Sequence, residues 1–251
     1  MKKIITALNL TQNLNALLDP TTMSDFGLNG LIVTNEGPIH KIATSFSPSL
    51  EVIQKAVSLK VNALIVHHGL GQEFSLANGT SYKKMKALIN NNIALLRYHL
   101  PLDAHQELGN NWKAARDLGW QNLEYFGMCN NSLIGVSGTF APISFIDFVN
   151  KLEKYYGNKA TLVEVKKEIF SAALISGGAH KYIQEAARAG VDCFITGTFD
   201  DPTWDIAHEE NISFCAFGHA ATEKIGPKAL AEYIQKNYNI ESIFIDTKNP
   251  F

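Results

Sequence analysis

Apolar positions follow two spacings along this chain, one typical of amphipathic helices and one typical of short buried strands. The 3.6-residue spacing predicts helices at about 8–18, 49–59, 143–156 and 179–189. Short runs of β-branched and aromatic residues predict strands near 30–34, 41–46, 62–67, 93–98, 160–165, 171–176, 191–196 and 212–217. Strands that alternate with helices are typical of an α/β fold with parallel strand pairing.

The same pattern occurs twice. When the chain is shifted by 130 residues, 53–57 align with 183–187 and 61–66 align with 191–196, and five aligned pairs are identical. Chance is the alternative explanation, but a histidine–acid spacing that recurs after later strands argues against it. We therefore predict two similar α/β lobes, 1–125 and 126–251, related by internal duplication and a pseudo-twofold axis. Because no Pro- or Ser-rich linker separates them, they would form one continuous domain with a seam within 125–140.

Composition and charge narrow the classes of function. The chain has 251 residues, of which 46% are hydrophobic and 18% charged, as in ordinary globular proteins. A formal net charge of −2 gives no overall basic field for nucleic acid or anionic membrane. No apolar run approaches the roughly 18 residues of a membrane span. The three widely spaced cysteines fit neither a disulfide framework nor a Cys-type zinc site, so we expect a cytoplasmic protein.

Histidines and carboxylates follow the ends of predicted strands in three short stretches. The residues concerned are His67, His68, Asp103, His219 and Glu223. The last two stand at i and i+4, so they would share one face of a helix. Pro101 is expected to keep the stretch before Asp103 out of a helix and to leave it as a loop. Because open α/β sheets bind ligands at the carboxyl ends of their strands, we expect the site there, between the two lobes.

These five side chains could hold two divalent metal ions. Imidazole and carboxylate donors without thiolate suit Zn, Mn, Fe or Ni, which leaves the identity of the metal open. With neutral histidines the two carboxylates contribute −2 against +4 from two ions. The excess favours a bridging hydroxide and an anionic or carbonyl-bearing substrate. Paired metals activate water and stabilise a developing oxyanion, so this donor set predicts hydrolysis rather than redox chemistry.

Other polar residues are secondary candidates for catalysis. His99 and His105 flank Asp103 and could orient it or transfer protons, so we treat both as catalytic candidates. Glu73, soon after the histidine pair, is a further acid/base candidate. The Gly-rich turn at 176–179 could bind an anion, although such turns more often serve only as tight strand-to-helix connections.

The motifs carry a resemblance to a known family that extends over essentially the whole chain. The matching stretches are Asp25–Leu31, Ile65–Gly69, Tyr98–His105, Glu107–Asn111, Phe194–Gly197 and Gly218–Glu223. On these residues the chain resembles the YbgI-like dinuclear-metal proteins, which are named GTP cyclohydrolase 1 type 2 homologues. It lacks the middle insertion of the longer members. Gln106 and Thr198 stand where the family usually has a proline and an acid, so substrate preference does not carry over.

The resemblance implies a two-metal centre and a ring-shaped assembly. The implied ligands are His67, His68, Asp103, His219 and Glu223, with Glu223 bridging the metals and His99 close to them. It also implies two α/β lobes and a homohexamer, a trimer of dimers whose metal sites face an inner cavity.

Two classes of function are compatible with these features. The leading hypothesis is a dinuclear metal-dependent hydrolase that uses a metal-bridging hydroxide on a small-molecule substrate, for which the family name suggests a nucleotide, GTP opened at purine C8. No P-loop is present to bind a triphosphate. The alternative is a metal-binding, ring-shaped scaffold or regulatory protein that binds nucleic acid or protein partners. Lys83, Lys84 and Lys86 could contact phosphates, although such a patch is more typical of a solvated helix face.

Overall fold

The computed structural model of the chain describes residues 5–71 and 78–251. The chain divides into two compact units. Unit 1 comprises Met1–Leu102 and Gly226–Thr247, and unit 2 comprises Asp103–Ile225 and Lys248–Phe251. This division differs from the expected lobes 1–125 and 126–251. The chain leaves unit 1 shortly after residue 100, and its C-terminal strand returns there to pair with the sheet of unit 1.

Unit 1 is built on a five-stranded mixed sheet. Its strands are β1 (Gly30–Val33), β2 (Lys41–Ser45), β3 (Ala63–Val66), β4 (Ala94–Arg97) and β11 (Glu241–Phe244). Its helices are α1 (Ala7–Leu18), α2 (Leu50–Ser58), α3 (Gly79–Asn90), α4 (Leu100–Ala104, which crosses into unit 2) and α10 (Ile225–Tyr238). The order is β1-β4-β3-β2-β11, in which β1 runs antiparallel to β4 and the other pairs are parallel.

A helix cap and two continuous apolar runs explain why three of the elements of unit 1 form where they do. Ser49 caps α2 because its hydroxyl oxygen accepts a hydrogen bond from the Val52 N–H at 3.1 Å. Strands β3 and β4 are buried along their whole length, which explains why they read as continuous apolar runs rather than alternating ones. Their polar residues therefore gather at the carboxyl ends.

Unit 2 is built on a six-stranded mixed sheet. Its strands are β5 (Gln121–Cys129), β6 (Ser132–Ser144), β7 (Thr161–Val163), β8 (Glu168–Leu174), β9 (Cys193–Thr196) and β10 (Ser213–Ala216). Its helices are α5 (Asn110–Asp117), α6 (Phe145–Tyr156), α7 (Ile183–Arg188), α8 (Thr203–Glu209) and α9 (His219–Thr222), with a 3-10 turn at His180–Tyr182. The order is β5-β6-β8-β9-β10-β7, and β8, β9 and β10 are parallel.

The structure confirms the α/β fold class, and it adds elements that the spacing did not predict. The segment 125–140, expected to be a seam, instead forms most of the antiparallel hairpin β5–β6 inside unit 2. The expected loop before Asp103 is wrong, because Leu100–Ala104 forms helix α4. Pro101 stands in the first turn of that helix, where its missing N–H removes no hydrogen bond of the helix. Helix α8 was also not predicted.

The two segments related by the 130-residue shift occupy equivalent places in the two sheets. In unit 1 the parallel series β2, β3 and β4 contains residues 63–66 in its middle strand, and in unit 2 the series β8, β9 and β10 contains 193–196 in its middle strand. This correspondence supports the internal duplication, which stays an inference from the sequence. Among the described residues, no helix combines the length and the hydropathy that a bilayer crossing requires.

Candidate metal centre

Three imidazoles cluster at the carboxyl ends of neighbouring strands in unit 1. His67 and His68 follow β3, and His99 lies two residues beyond β4. One ring nitrogen of each lies within 4.8 Å of the others, close enough to bind one ion. The structure therefore places the histidine pair at the end of a strand, where the sequence predicts it. His99, predicted as a catalytic residue, is also placed among the candidate ligands.

Hydrogen bonds orient the histidine pair. Nδ1 of the fully buried His67 lies 3.2 Å from the carbonyl oxygen of Tyr98. Because a carbonyl only accepts, this contact places the ring proton on Nδ1 and the lone pair on Nε2, the arrangement typical of a metal-binding histidine. His68 Nδ1 lies 3.2 Å from the Ser47 hydroxyl, and the Phe46 ring packs 4.5 Å from the His68 ring. The rings are thus held by the protein itself.

His99 is held by a buried carboxylate that the sequence analysis did not single out. Its Nδ1 lies 2.7 Å from Asp25 Oδ1, while Asn29 Nδ2 donates to Asp25 Oδ2 at 2.9 Å. Burial by itself raises the pKa of Asp25, but the hydrogen bond and charge of His99, the Asn29 amide and the charge of Arg97 outweigh it. The pKa of Asp25 therefore lies well below its usual range. An ionised Asp25 fixes the proton of His99 on Nδ1 and its lone pair on Nε2.

Unit 2 supplies two buried carboxylates and one imidazole. His219 opens the short helix α9, and Glu223 follows its last residue. The His219 Nε2 and Glu223 Oε2 atoms lie 3.0 Å apart, which confirms that the i and i+4 side chains share a face. One carboxylate oxygen of Asp103 lies within 4.8 Å of one of Glu223. Two carboxylates this close, each only 4% exposed, repel each other when both are ionised, and a cation beside them would offset that repulsion.

Three buried polar residues position Asp103, a role that the sequence analysis gave to none of them. Asn110 Nδ2 and Ser176 Oγ donate to Asp103 Oδ1 at 2.8 and 3.1 Å. Asn111 Nδ2 reaches the backbone oxygen of Asp103 at 3.4 Å, and its Oδ1 accepts the Ser176 N–H at 2.7 Å. The adjacent Asn110–Asn111 pair lies within the family motif, but an Asn side chain does not indicate a role until its hydrogen-bond partners are known.

The glycines of unit 2 make room for the carboxylate and the histidine. A Cβ on Gly177 would collide with the Glu223 carboxylate and would lie 3.0 Å from His219 Nε2. A Cβ on Gly197 would lie 2.7 Å from the His219 Cα. The Thr222 hydroxyl accepts the Gly177 N–H at 3.0 Å and holds the turn against α9. The glycine turn thus serves the approach of Glu223, a role that the sequence did not reveal.

The remaining candidates lie in different settings. His105 Nδ1 accepts the backbone N–H groups of Glu107 and Leu108 at 3.2 and 3.1 Å, so this nitrogen closes a turn. His105 is in none of the metal-compatible groups found among residues 5–71 and 78–251. Its predicted catalytic role stays a prediction. His180 lies 3.0 Å from Thr198 Oγ1. Glu73 lies outside the described residues.

The donor set fits divalent transition metals. The described residues provide an imidazole group (His67, His68 and His99) in unit 1 and a carboxylate-rich group (Asp103, His219 and Glu223) in unit 2, and neither contains a cysteine. Such nitrogen and oxygen donors suit Zn, Mn, Fe or Ni. Ligand orientation by carbonyl, carboxylate and amide partners is the usual environment of metal-binding side chains, and the partners described above provide it.

Comparison with known proteins identifies the family of the chain. The family model Duf34/NIF3 (NGG1p interacting factor 3) matches residues 5–250. A protein of Chlamydia muridarum (strain MoPn / Nigg) named GTP cyclohydrolase 1 type 2 homolog is 50% identical over 249 residues, covering 97% of this chain and 98% of that protein. The Escherichia coli (strain K12) protein of the same name is 36% identical over 248 residues, covering 96% of this chain and 98% of that protein.

A solved structure is similar over its whole length. The protein ybgI, described as of unknown function, has a TM-score of 0.91 and 34% sequence identity, and the match covers 98% of this chain and 100% of that one. A family match over nearly every residue and relatives at 36 to 50% identity lead to one conclusion. The chain belongs to the Duf34/NIF3 family.

Proposed function

We propose that the chain is a dinuclear metal-dependent hydrolase. The proposed ligands of two divalent ions are His67, His68, Asp103, His219 and Glu223. The observation that carries the proposal is the buried Asp103–Glu223 pair, because a bound divalent cation would offset the repulsion between two ionised carboxylates this close. The clustered imidazoles of unit 1, each with its Nδ1 in contact with a protein group, support it.

The roles of the chain's own residues follow from their contacts. When bound, paired metal ions activate water and stabilise the negative charge that develops during hydrolysis. His99 is the favoured acid/base, because Asp25 holds the proton on its Nδ1 and stabilises the ring when Nε2 takes up a second proton. Asn110 and Ser176 keep one oxygen of Asp103 in place. His105 is the weaker acid/base candidate, because its Nδ1 is engaged in a turn.

The name of the curated relatives supports a nucleotide as the first substrate to test, with ring opening of GTP at purine C8 as the first reaction. We also propose a cytoplasmic homohexamer with its metal sites facing an inner cavity. That part of the proposal rests on the resemblance to the YbgI-like proteins.

The decisive experiment measures metals and mass on one sample. Elemental analysis of the purified protein should give about two first-row metal ions per chain, and light scattering should give the mass of a hexamer. The double substitution His67→Ala and His68→Ala should abolish stoichiometric metal binding, because it removes both proposed ligands after β3. The exposed His40 provides the matched control, and His40→Ala should keep the wild-type metal content.

The outcomes separate the two classes of function. Two metals per chain in the double variant would contradict the ligand assignment. A metal-loaded protein should hydrolyse a compound in a screen of nucleotides, cyclic amides and phosphoesters, and Asp103→Ala should lose that turnover while it stays folded. Metal binding without turnover, together with binding to single-stranded DNA that weakens steeply with salt, would instead favour the regulatory scaffold.

A further inference from the structure

A polar cleft of about 470 Å3 opens in unit 1 beside the candidate ligand His68. It lies at the carboxyl ends of the parallel strands β2, β3 and β4 and is bordered by α3. Its polar and charged lining side chains are Ser47, Ser49, His68, Lys84, Arg97 and His99. Among the described residues, this lining contains hydroxyls, imidazoles and two cations but no carboxylate, so the cleft favours an anion.

The two cations of the cleft differ in how their charge is balanced. Arg97 is buried, its Nη1 donates to the carbonyl oxygen of Leu28 at 3.0 Å, and its Nη2 lies 3.6 Å from Asp25. Its charge is therefore largely offset within the protein. Lys84 is half-buried on α3, and it forms no ion pair with any of the described residues, 5–71 and 78–251. A partly desolvated ammonium without a counter-ion is a site at which an anion binds favourably.

We propose that this cleft binds a phosphate group, with Lys84 as its principal cation. The Ser49 hydroxyl oxygen already accepts the Val52 N–H, so its own proton remains to be donated to a ligand. The Ser47 hydroxyl provides a second donor when it is not directed to His68. A phosphate has enough acceptor oxygens for an ammonium and several hydroxyl donors, whereas a carboxylate has only two.

This proposal extends the proposed function. It rests on that function only where it assigns the phosphate to the substrate. His68 and His99 line the same cleft, so a phosphate held by Lys84 would keep the rest of the molecule beside these histidines. The substrate would then be a phosphorylated small molecule. The structure also separates Lys84 from its neighbours in the lysine-rich patch, since Lys83 and Lys86 are exposed and do not line the cleft.

The test titrates inorganic phosphate into the full-length, chelator-treated protein by calorimetry, so that phosphate cannot bind through a metal. The wild type should bind phosphate, and Lys84→Gln should weaken binding about tenfold, the effect of one charge-assisted hydrogen bond. The matched control is Lys83→Gln, which removes the same charge from the adjacent exposed position and should change the affinity less than twofold.

Each outcome decides the proposal. Wild-type protein that does not bind phosphate, or equal losses in Lys84→Gln and Lys83→Gln, would overturn it, because the second result means a diffuse charge effect. Acetate that binds as tightly as phosphate and depends equally on Lys84 would overturn the phosphate assignment in favour of a carboxylate. Elemental analysis of the untreated variants keeps the proposals separate, since loss of Lys84 should leave the metal content unchanged.

Discussion

Replacing Gly177 by alanine tests the arrangement of the carboxylate-rich group. Gly177 has a backbone φ of +68°, a left-handed conformation that disfavours any side chain with a Cβ. Its added Cβ would also overlap the Glu223 carboxylate and lie 3.0 Å from His219 Nε2. Two effects should therefore add: backbone strain in the turn, and displacement of two proposed metal ligands.

The structure provides a control that separates these two effects. Gly157 has the same φ of +68°, but an added Cβ there would meet no atom within 4 Å. Gly157→Ala should therefore lower the free energy of unfolding by roughly 1–2 kcal/mol through backbone strain alone. Gly177→Ala should cost at least that much and should also weaken metal binding about 10- to 100-fold, the usual range when the support of a metal ligand is disturbed.

Urea unfolding and metal titration on both variants measure the difference. The free energy of unfolding comes from the linear dependence on urea, and the affinity comes from competition with a chelator of known affinity. The reasoning would be refuted if Gly177→Ala matched Gly157→Ala in stability and bound metal like the wild type. That result would mean that Glu223 does not need the space above this turn.

Two further predictions concern buried carboxylates. Burial raises the pKa of Asp192, but hydrogen bonds from Lys166, the Phe170 N–H and Ser171 outweigh it and lower that pKa below its ordinary value near 3.8. Asp192→Asn should therefore lower the free energy of unfolding by roughly 1.5–3 kcal/mol at pH 7. In urea unfolding, this difference between wild type and variant should become smaller as the pH falls below about 4, because the wild-type carboxylate is then protonated. A difference that does not change with pH would contradict this prediction. Asn110→Ala removes the 2.8 Å hydrogen bond to the candidate ligand Asp103 and should lower metal affinity about 10- to 100-fold; unchanged affinity in a chelator competition would show that the amide does not position a ligand.

Local spacing was sufficient for part of the fold and for the identity of the candidate ligands. Fully apolar runs identified β3 and β9, because strands of a parallel sheet that are buried on both faces carry no alternation. Spacing also placed His219 and Glu223 on one face, since i and i+4 neighbours depend only on helix geometry. The histidine pair after β3 followed from the chemistry of its residues.

Local spacing did not predict the elements whose burial and pairing depend on residues distant in the chain. The hairpin β5–β6 has an irregular burial pattern, so local sequence did not identify its two strands. The C-terminal strand β11 belongs to unit 1 only through its pairing with β2, a contact about 200 residues away along the chain. No local rule specifies such a pairing.

The sequence by itself determined which side chains are available for metal chemistry and at which strand ends they stand. Tertiary structure alone decided how these side chains are oriented. It placed Asp25 beside His99, Asn110 and Ser176 on Asp103, and the turn at Gly177 beneath Glu223. It also showed that Lys84, and not its lysine neighbours, lines the cleft. The physical reason is that residue type and spacing fix chemistry and local geometry, whereas hydrogen-bond partners and steric limits come from residues distant in the chain.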